Sequence, residues 1–410
     1  MPQERFLAAL AADLELLDAR GNPKRHELVI EDVVPAQGGY GPRYRLAGRG
    51  GELFLKMNSN NYLGMNLRRE VIEAEEEASR RFGAGPGAVR FISGTYAPHV
   101  ELEAALARFH GREAAMIFSS AYATMLGVFT PLVSEETALV SDALNHNCII
   151  NAIRLARPKE KRVYRHNDVA DFDAKLGEVA AAGSCRRALV VTDGIFSMRG
   201  DEAPLPAIFE VARRHDAAFP ENVVVIVDDS HGVGAFGATG RGTEEASGSG
   251  PSDILIGTLG KAFGVNGGYV TGATGLVDFL REAAPTYIYS NPITPAEAAA
   301  ARKALEILDG PDGKGLLDHL AAMTRRFRGG LVRLGFETLQ GSHPVVPLLV
   351  RDTPRTLALV RHLQKHGILA TGLSFPVVPK GDETIRFQVS ADHTAPDIDF
   401  VLDVLAGFKG

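Results

Sequence analysis

Four short stretches of the chain end a run of aliphatic residues with side chains able to do chemistry. "SDALNH" leaves Asp142 and His146, "TDGIFSM" leaves Asp193 and Ser197, "VDDSH" leaves Asp228, Asp229 and His231, and "GTLGK" leaves Thr258 and Lys261. In open α/β sheets, ligands bind outside the carboxyl ends of the strands. One polar strand end is unremarkable; four in succession point to one cleft. Lys261 sits within "GTLGKAFGVNGGYVTG", among six glycines and with no acid close in sequence. A phosphate loop of the Walker type is excluded, because Leu255 stands where its first glycine belongs and Ala262 where its hydroxyl belongs. Two readings remain from the stretch alone. One is a solvated surface charge, the common state of a lysine. The other is a Schiff-base nucleophile, an amine held where it can lose its proton and attack a carbonyl.

Asp228 bears on that choice. It follows "VVVIV" directly, so its carboxylate is expected at the end of a buried strand. A buried, unpaired carboxylate is very costly and calls for a cationic partner. Lys261 at the next strand end is one candidate and a bound cation is another. A pyridinium nitrogen meets the need. Pyridoxal phosphate chemistry requires a lysine for the imine and an acid that keeps the ring nitrogen protonated. The ring also needs a stacking group, for which His146 is placed. Its phosphate needs a helix N-terminus or a turn of free amides, which "SSAYATM" (119–125) offers, with the Thr258 hydroxyl added.

Two rival chemistries are weaker. "HGVGAFG" places Gly232, Gly234 and Gly237 in GxGxxG spacing after a strand, but loop composition follows where a dinucleotide site needs a helix. His146, His166 and His231 have acids nearby, yet the chain has no HExxH and no second clustered histidine, so structural histidines are the reading and no metal is expected.

The elements that must hold these residues read as an alternation. Short strands rich in Val, Ile and Leu at 138–142, 187–197, 223–231, 253–261 and 267–272 are interleaved with amphipathic helical patterns such as "NCIINAIRLA" and "LPAIFEVARRH". That alternation describes a mainly parallel sheet covered on both faces. A smaller α+β unit follows the helical "TPAEAAAARKALEIL", with "HPVVPLLVRD" and "ETIRFQVSA" as strands. The first 50 or so residues read as an amphipathic helix and then irregular chain with Gly and Pro, an arm rather than a signal peptide. At 410 residues, two domains are the natural division. The expected boundaries are 1–55 for the helix and arm, 56–295 for the large domain and 296–410 for the small one. A net charge of −6 gives no basic surplus for nucleic acid or an anionic membrane. The longest aliphatic run, Val223 to Val227, is far too short to span a bilayer. Two cysteines without a CxxC motif, Cys148 and Cys185, fit a reducing cytoplasm.

With these residues in view, the chain resembles the α-oxoamine synthases. The resemblance runs from about Phe54 to the C-terminus through "NNYLG", "GAGPGAVRFISGTYAPHVELEAALARF", "SDALNH", "TDGIFSMRGD", "VDDSHGVGAFGATGRG", "GTLGKAFGVNGGY" and "FPVVPKGDETIRFQVSADHT". Within that family, "SDALNH", "VDDSH", "TLGK" and "FPVVPKG" are most similar to the 2-amino-3-ketobutyrate CoA ligase (glycine C-acetyltransferase) branch. The resemblance implies a pyridoxal-phosphate enzyme of fold type I, aspartate aminotransferase-like, with a mainly parallel seven-stranded sheet. It implies a C-acyltransferase joining a small amino acid, glycine for this branch, to an acyl-CoA or carrier-protein thioester by Claisen chemistry, with or without later decarboxylation. It also implies a homodimer with shared active sites.

Carried over by position, Lys261 forms the imine and removes an α-proton. Asp228 holds the ring nitrogen, His231 the ring hydroxyl, and His146 stacks. Ala121 and Tyr122 give amides to the phosphate with help from Thr258, and Ser290 reaches the phosphate of the partner subunit. Ser197 lies near substrate or cofactor, and Asn60 and Arg386 bind the substrate carboxylate. An aminotransferase or a retro-aldol lyase on the same fold is the alternative. Three positions depart from the family pattern. Met125 stands for Asn, Asn147-Cys148 for Ala-Ser, and Arg199 for the Asp of "SMDGD".

Overall fold

A computed structural model describes residues 3–19, 25, 27–375, 378 and 380–409. Pro376, Val377 and Pro379 of the "FPVVPKG" motif lie outside the described residues.

The N-terminal helix Glu4–Ala19 is followed by strands β1 (Ile30–Val34), β2 (Arg43–Leu46) and β3 (Leu53–Lys56). The central strands are β4 (Ala114–Phe118), β5 (Thr137–Asp142), β6 (Glu160–Tyr164), β7 (Arg187–Asp193), β8 (Val223–Asp228), β9 (Ile254–Thr258) and β10 (Gly268–Gly272). After the helices Pro295–Leu308 and Pro311–Arg333 come β11 (Glu337–Thr338), β12 (Val345–Leu349), β13 (Ile368–Leu369), β14 (Thr371–Leu373) and β15 (Thr384–Gln388), before the closing helix Ala395–Ala406.

The central strands form one seven-stranded sheet in the order β4-β10-β9-β8-β7-β5-β6. It is parallel except for β10, which runs antiparallel to both its neighbours. This is the fold-type-I arrangement. Its strands are apolar on both faces because both faces are covered. Along β8, Val225 and Val227 pack with Phe172, Leu176 and Ile208 from the helices Val169–Ala182 and Leu205–His215. Ile226 points the other way, toward Val128, Phe129 and Ile149 of the helices Ala121–Leu132 and Asn147–Ala156. The alternation follows from the two-residue side-chain period of a strand.

A four-stranded sheet, β11-β12-β15-β14, forms the C-terminal unit. The segment after the first helix differs from the irregular arm expected of it. It pairs as β1-β2-β3, and β3 is joined in parallel by β13, more than 300 residues later in the chain. Short strands with only weak alternation become strands here because a distant edge supplies their partners. Among the described residues no helix is long and apolar enough to cross a membrane.

Candidate active site

The parallel register puts Asp193 at the end of β7 directly beside Asp228 at the end of β8. Lys261 follows β9 on the adjoining turn. Thr258 holds the base of that turn, accepting a hydrogen bond from the Gly260 amide at 3.1 Å and donating to the Gly267 carbonyl at 3.2 Å. Gly264 adopts φ +69, and a Cβ there would sit 2.4 Å from the Asn66 amide, so the lysine turn can lie against the segment after "NNYLG" only with glycine.

Lys261, Asp228, His231 and His146 line one cavity, as do Ala121, Tyr122 and Ser197. The structure thus gathers most of the expected site residues. Thr258 does not line the cavity. Ser290 lies outside the lining, next to the highly exposed Tyr289. Asn60 and Arg386 also lie outside it but adjoin it. The Arg386 Nη1 donates to the Ser197 carbonyl at 2.9 Å, and Asn60 lies beside Tyr62, which touches His231.

Electrostatics separate these groups. Burial holds the Lys261 amine below its ordinary range, against the pull of Asp228 and Asp193, and this favours the neutral, nucleophilic form. Burial first, then the charge of Lys261, pushes His231 well below the ordinary histidine range, so its imidazole is neutral. Burial lowers His146 too, with Asp228 opposing. His146 caps the helix Asn147–Ala156 with its own ring: the Nδ1 accepts from the Cys148 amide at 3.2 Å, which leaves the proton of the neutral ring on Nε2. Asp193 is pushed well above the carboxylate range by burial and then by Asp228. It accepts from the His146 amide at 2.9 Å.

The two consecutive aspartates do different work. Asp229 is fully buried and pushed up to about 8 by burial, while hydrogen bonds from the Thr243 amide at 2.7 Å and the Thr243 hydroxyl at 2.6 Å pull against the shift. It faces away from the cavity and holds its own turn. Asp228 faces the cavity. Among the described residues its carboxylate accepts from the Ser230 amide at 3.1 Å and, weakly, from the Cys148 thiol at 3.7 Å. Among the described residues it makes no ion pair.

These observations can be set against what pyridoxal phosphate requires. A buried carboxylate without a cation matches a protonated ring nitrogen. The Ser230 hydroxyl, also on the cavity wall, is buried with no partner. At the start of the helix Ala121–Leu132, Ser120 caps the Ala123 amide at 3.1 Å, which leaves the Ala121 and Tyr122 amides without intrahelical acceptors. That pair of donors at a helix N-terminus suits a phosphate. The helix start also lies tight against β10, since a Cβ on Gly268 would fall 2.2 Å from the Ala121 nitrogen. The residues present fit the group.

Residues 53–405 match the aminotransferase class I and II family. The chain belongs to that family. Human mitochondrial 2-amino-3-ketobutyrate coenzyme A ligase is 44% identical over 361 residues, 88% of this chain and 83% of that protein. The 8-amino-7-oxononanoate synthase of Thermosipho melanesiensis is 40% identical over 354 residues, 86% of this chain and 88% of that protein. Among solved structures, serine palmitoyltransferase from Sphingomonas wittichii superposes with a TM-score of 0.86 at 28% identity, covering 97% of this chain and 96% of that one. This member of the family is therefore an α-oxoamine synthase, a pyridoxal-phosphate-dependent acyltransferase that condenses an amino acid with an acyl thioester.

The sequence did not single out several residues of this enzyme's site. Tyr62, whose hydroxyl lies 2.7 Å from the His231 Nδ1, was visible only as part of "NNYLG". His343 donates from Nε2 to the His231 carbonyl at 2.9 Å and is fully buried; no motif marked it. Cys148 and Asn147, two of the family departures, are both near the site. The Cys148 thiol lies 2.9 Å from the His146 Nδ1, and the Asn147 side-chain Oδ1 accepts from the Tyr122 hydroxyl at 3.2 Å. Met125 is not on the cavity. It is fully buried in the apolar layer with Phe118, Val128 and Phe129, which accounts for an apolar residue there. Arg199 pairs with Asp201 at 3.0 Å.

Proposed function

We propose that this acyltransferase takes glycine as its amino acid and an acyl-CoA as its donor, working as a cytoplasmic homodimer. What carries the reading is the convergence of Lys261 and Asp228 in one cavity, each without an ion-pair partner among the described residues. The bound cofactor would supply an electrophilic carbon for the amine and an electron sink for the carbanion formed at the amino-acid Cα.

The positions of the chain's own residues support these roles. Asp228 would keep a proton on the ring nitrogen. His231, neutral and with its Nδ1 occupied by Tyr62, would offer Nε2–H to the ring oxygen. His146 would stack on the ring, and the Ala121 and Tyr122 amides would hold the phosphate, with Thr258 bracing the turn. The Lys261 amine takes the α-proton of the amino acid, a task that suits an amine shifted down by burial. Arg386 and Asn60 hold the carboxylate. Ser197 stands where this cavity meets a second one of about 470 Å³, lined by Leu144, Ile150, Phe196, Met198 and Leu349. That space, which Asn145, Arg199, Arg351 and Asp382 also line, suits an acyl chain with a polar carrier. In the condensation the Cα–C bond forms at the thioester carbonyl, the C–S bond breaks, and the thiol leaves.

Two features support a dimer. The helix Glu4–Ala19 has no buried residue and exposes Phe6, Leu7 and Leu14. Phe91, Ile92 and Tyr289 are exposed as well, the last beside Ser290, which would complete the phosphate site of the partner subunit. Residues 56–295 then form the cofactor domain, 296–410 the small domain and 1–55 the arm.

A matrix of amino acids against acyl thioesters, read by thiol release, tests the reading. Glycine with a short acyl-CoA should give the highest kcat/KM. Transfer of an amino group from glutamate to a 2-oxo acid, without thiol release, would assign an aminotransferase instead.

A further inference from the structure

Arg386 and Gln388 are two positions apart on β15, so their side chains leave the same face of the strand. Gln388 is fully buried. A guanidinium carries five N–H donors and no acceptor, so a neighbouring amide must turn its oxygen toward it. In that orientation the Gln388 oxygen accepts from the Arg386 Nε at 2.9 Å and Nη2 at 2.6 Å, while its nitrogen donates to the Met57 carbonyl at 3.1 Å. The Arg386 Nη1 donates to the Ser197 carbonyl at 2.9 Å. The Nη1 also lies 4.0 Å from the Met198 sulfur, a weak acceptor that a carboxylate would outcompete. One donor on each terminal nitrogen is thus open to the two-point grip of a carboxylate.

The same contact orients its next neighbour. The Asn60 amide approaches the Gln388 oxygen at 3.1 Å and must therefore present its NH₂ group to it. That group also lies 3.4 Å from the Tyr62 hydroxyl. Tyr62, accepting there, donates its own proton to the His231 Nδ1 at 2.7 Å. A neutral imidazole that accepts at Nδ1 carries its proton on Nε2. Every contact in the chain from Arg386 to His231 then pairs a donor with an acceptor, and reversing Gln388 would set its NH₂ against the guanidinium.

We propose that Gln388 is a positioning residue: it aims Arg386 at the amino-acid carboxylate and, through Asn60 and Tyr62, holds the His231 proton on Nε2. This rests on the reading of Arg386 as the carboxylate-binding residue and of His231 as the donor to the cofactor. Gln388 touches neither the cofactor cavity nor any substrate position, so its effect is exerted through these residues.

The test uses the holoenzyme and two variants. Gln388→Leu removes the acceptor. Gln388→Glu keeps its size and places a negative charge against Arg386, so the guanidinium stays but its attraction for a carboxylate is cancelled. Both should raise the amino-acid KM by about tenfold or more while the thioester KM stays within about twofold. The pH midpoint of the visible cofactor band should also move in Gln388→Leu, in the same direction as in Tyr62→Phe, which breaks the chain at its His231 end. A merely structural role would lower stability and change both KM values together. An unchanged amino-acid KM in both Gln388 variants, or a thioester KM that rises in step, overturns the inference, and so does a midpoint that Tyr62→Phe shifts and Gln388→Leu does not. Arg386→Lys separates the two levels. If that variant raises the amino-acid KM selectively and the Gln388 variants do not, only the inference fails. If it has no selective effect, the carboxylate reading fails and the inference falls with it.

Discussion

The cofactor side of the cavity and the substrate side are built in different ways. The cofactor side is made of neighbouring strand ends and helix starts: Asp193 and Asp228 in register, Lys261 on the next turn, and the helix starts at Ala121 and at Asn147, the latter just after His146. Each of its parts sits at the boundary between two elements that would form together in any parallel sheet of this order. The substrate side joins Asn60 to Gln388 and Arg386, a hydrogen-bonded contact between positions 328 residues apart. It is held by backbone as well, with the Gln388 amide donating to the Met57 carbonyl at 2.8 Å. The first region is local and rigid. The second depends on the C-terminal unit docking against the start of the chain, and substitutions should separate the two.

The largest effect is expected at the centre of the local region. Lys261→Ala should abolish turnover and remove the imine absorbance, and borohydride reduction with peptide mapping of the parent enzyme should place the pyridoxyl group on Lys261. Labelling of a different lysine would contradict the assignment. Next, Asp228→Asn should keep the fold but lower kcat by about 10²-fold or more, the scale of losing a preorganised electrostatic partner. Asp229→Asn is the internal control. Asp229 is pushed upward by burial and is occupied with Thr243 away from the cavity, so the amide should cost much less activity. Equal losses at the two positions would erase the distinction between them.

In the substrate region, Arg386→Lys keeps the charge but loses the planar fork. The amino-acid KM should rise by about tenfold, with cofactor absorbance unchanged. A fall in cofactor occupancy would mean that the two regions are not separable.

A smaller, pH-dependent effect is expected where the regions meet. The loop carrying Ser197 is tied down by His166, whose Nδ1 and Nε2 each lie 3.0 Å from a carboxylate, Asp142 and Asp201 respectively. Burial works against the charged ring, but the two aspartates together outweigh it and raise His166 to about 9. The folded value lies above the ordinary 6.5, so this stabilisation is complete below about pH 6.5 and is lost as the pH rises through about 9. Denaturant titrations of the parent and His166→Gln should differ most at pH 6 and converge by pH 10. A gap that widens with pH would reverse the sign and exclude a charged His166.

The smallest effect on activity is expected from Met125→Asn. Met125 is buried among apolar side chains away from the cavity, so an amide there lacks hydrogen-bond partners and should cost about 2 kcal/mol of stability or more. Substrate preference should not move. A shift in the preferred thioester would mean that the apolar layer under the phosphate helix shapes the acyl site.

Five strands of the central sheet, the strand-end chemistry and the lysine turn were legible in the amino-acid sequence. The reason is that the hydrophobic run, the polar residue that ends it and the glycine turn that follows are contiguous, and a buried parallel strand needs all three. The count of seven strands came from the family resemblance, and the edge strand Glu160–Tyr164 carried no aliphatic run to mark it. Asp228 could be told from Asp229 only in part. Both follow the same aliphatic run, but alternation sends their side chains to opposite sides of the strand end, and which side holds the cavity depends on the elements that cover it. The strands at 30–34, 43–46 and 53–56 were missed because their partners lie in each other and in residues 368–369, and pairing rather than propensity makes them strands. Tyr62, His343 and Gln388 carry no local signature for the same physical reason. Their hydrogen bonds join positions 169, 112 and 328 residues apart, and contacts of that span are decided by how distant segments pack together, which no stretch of sequence records by itself.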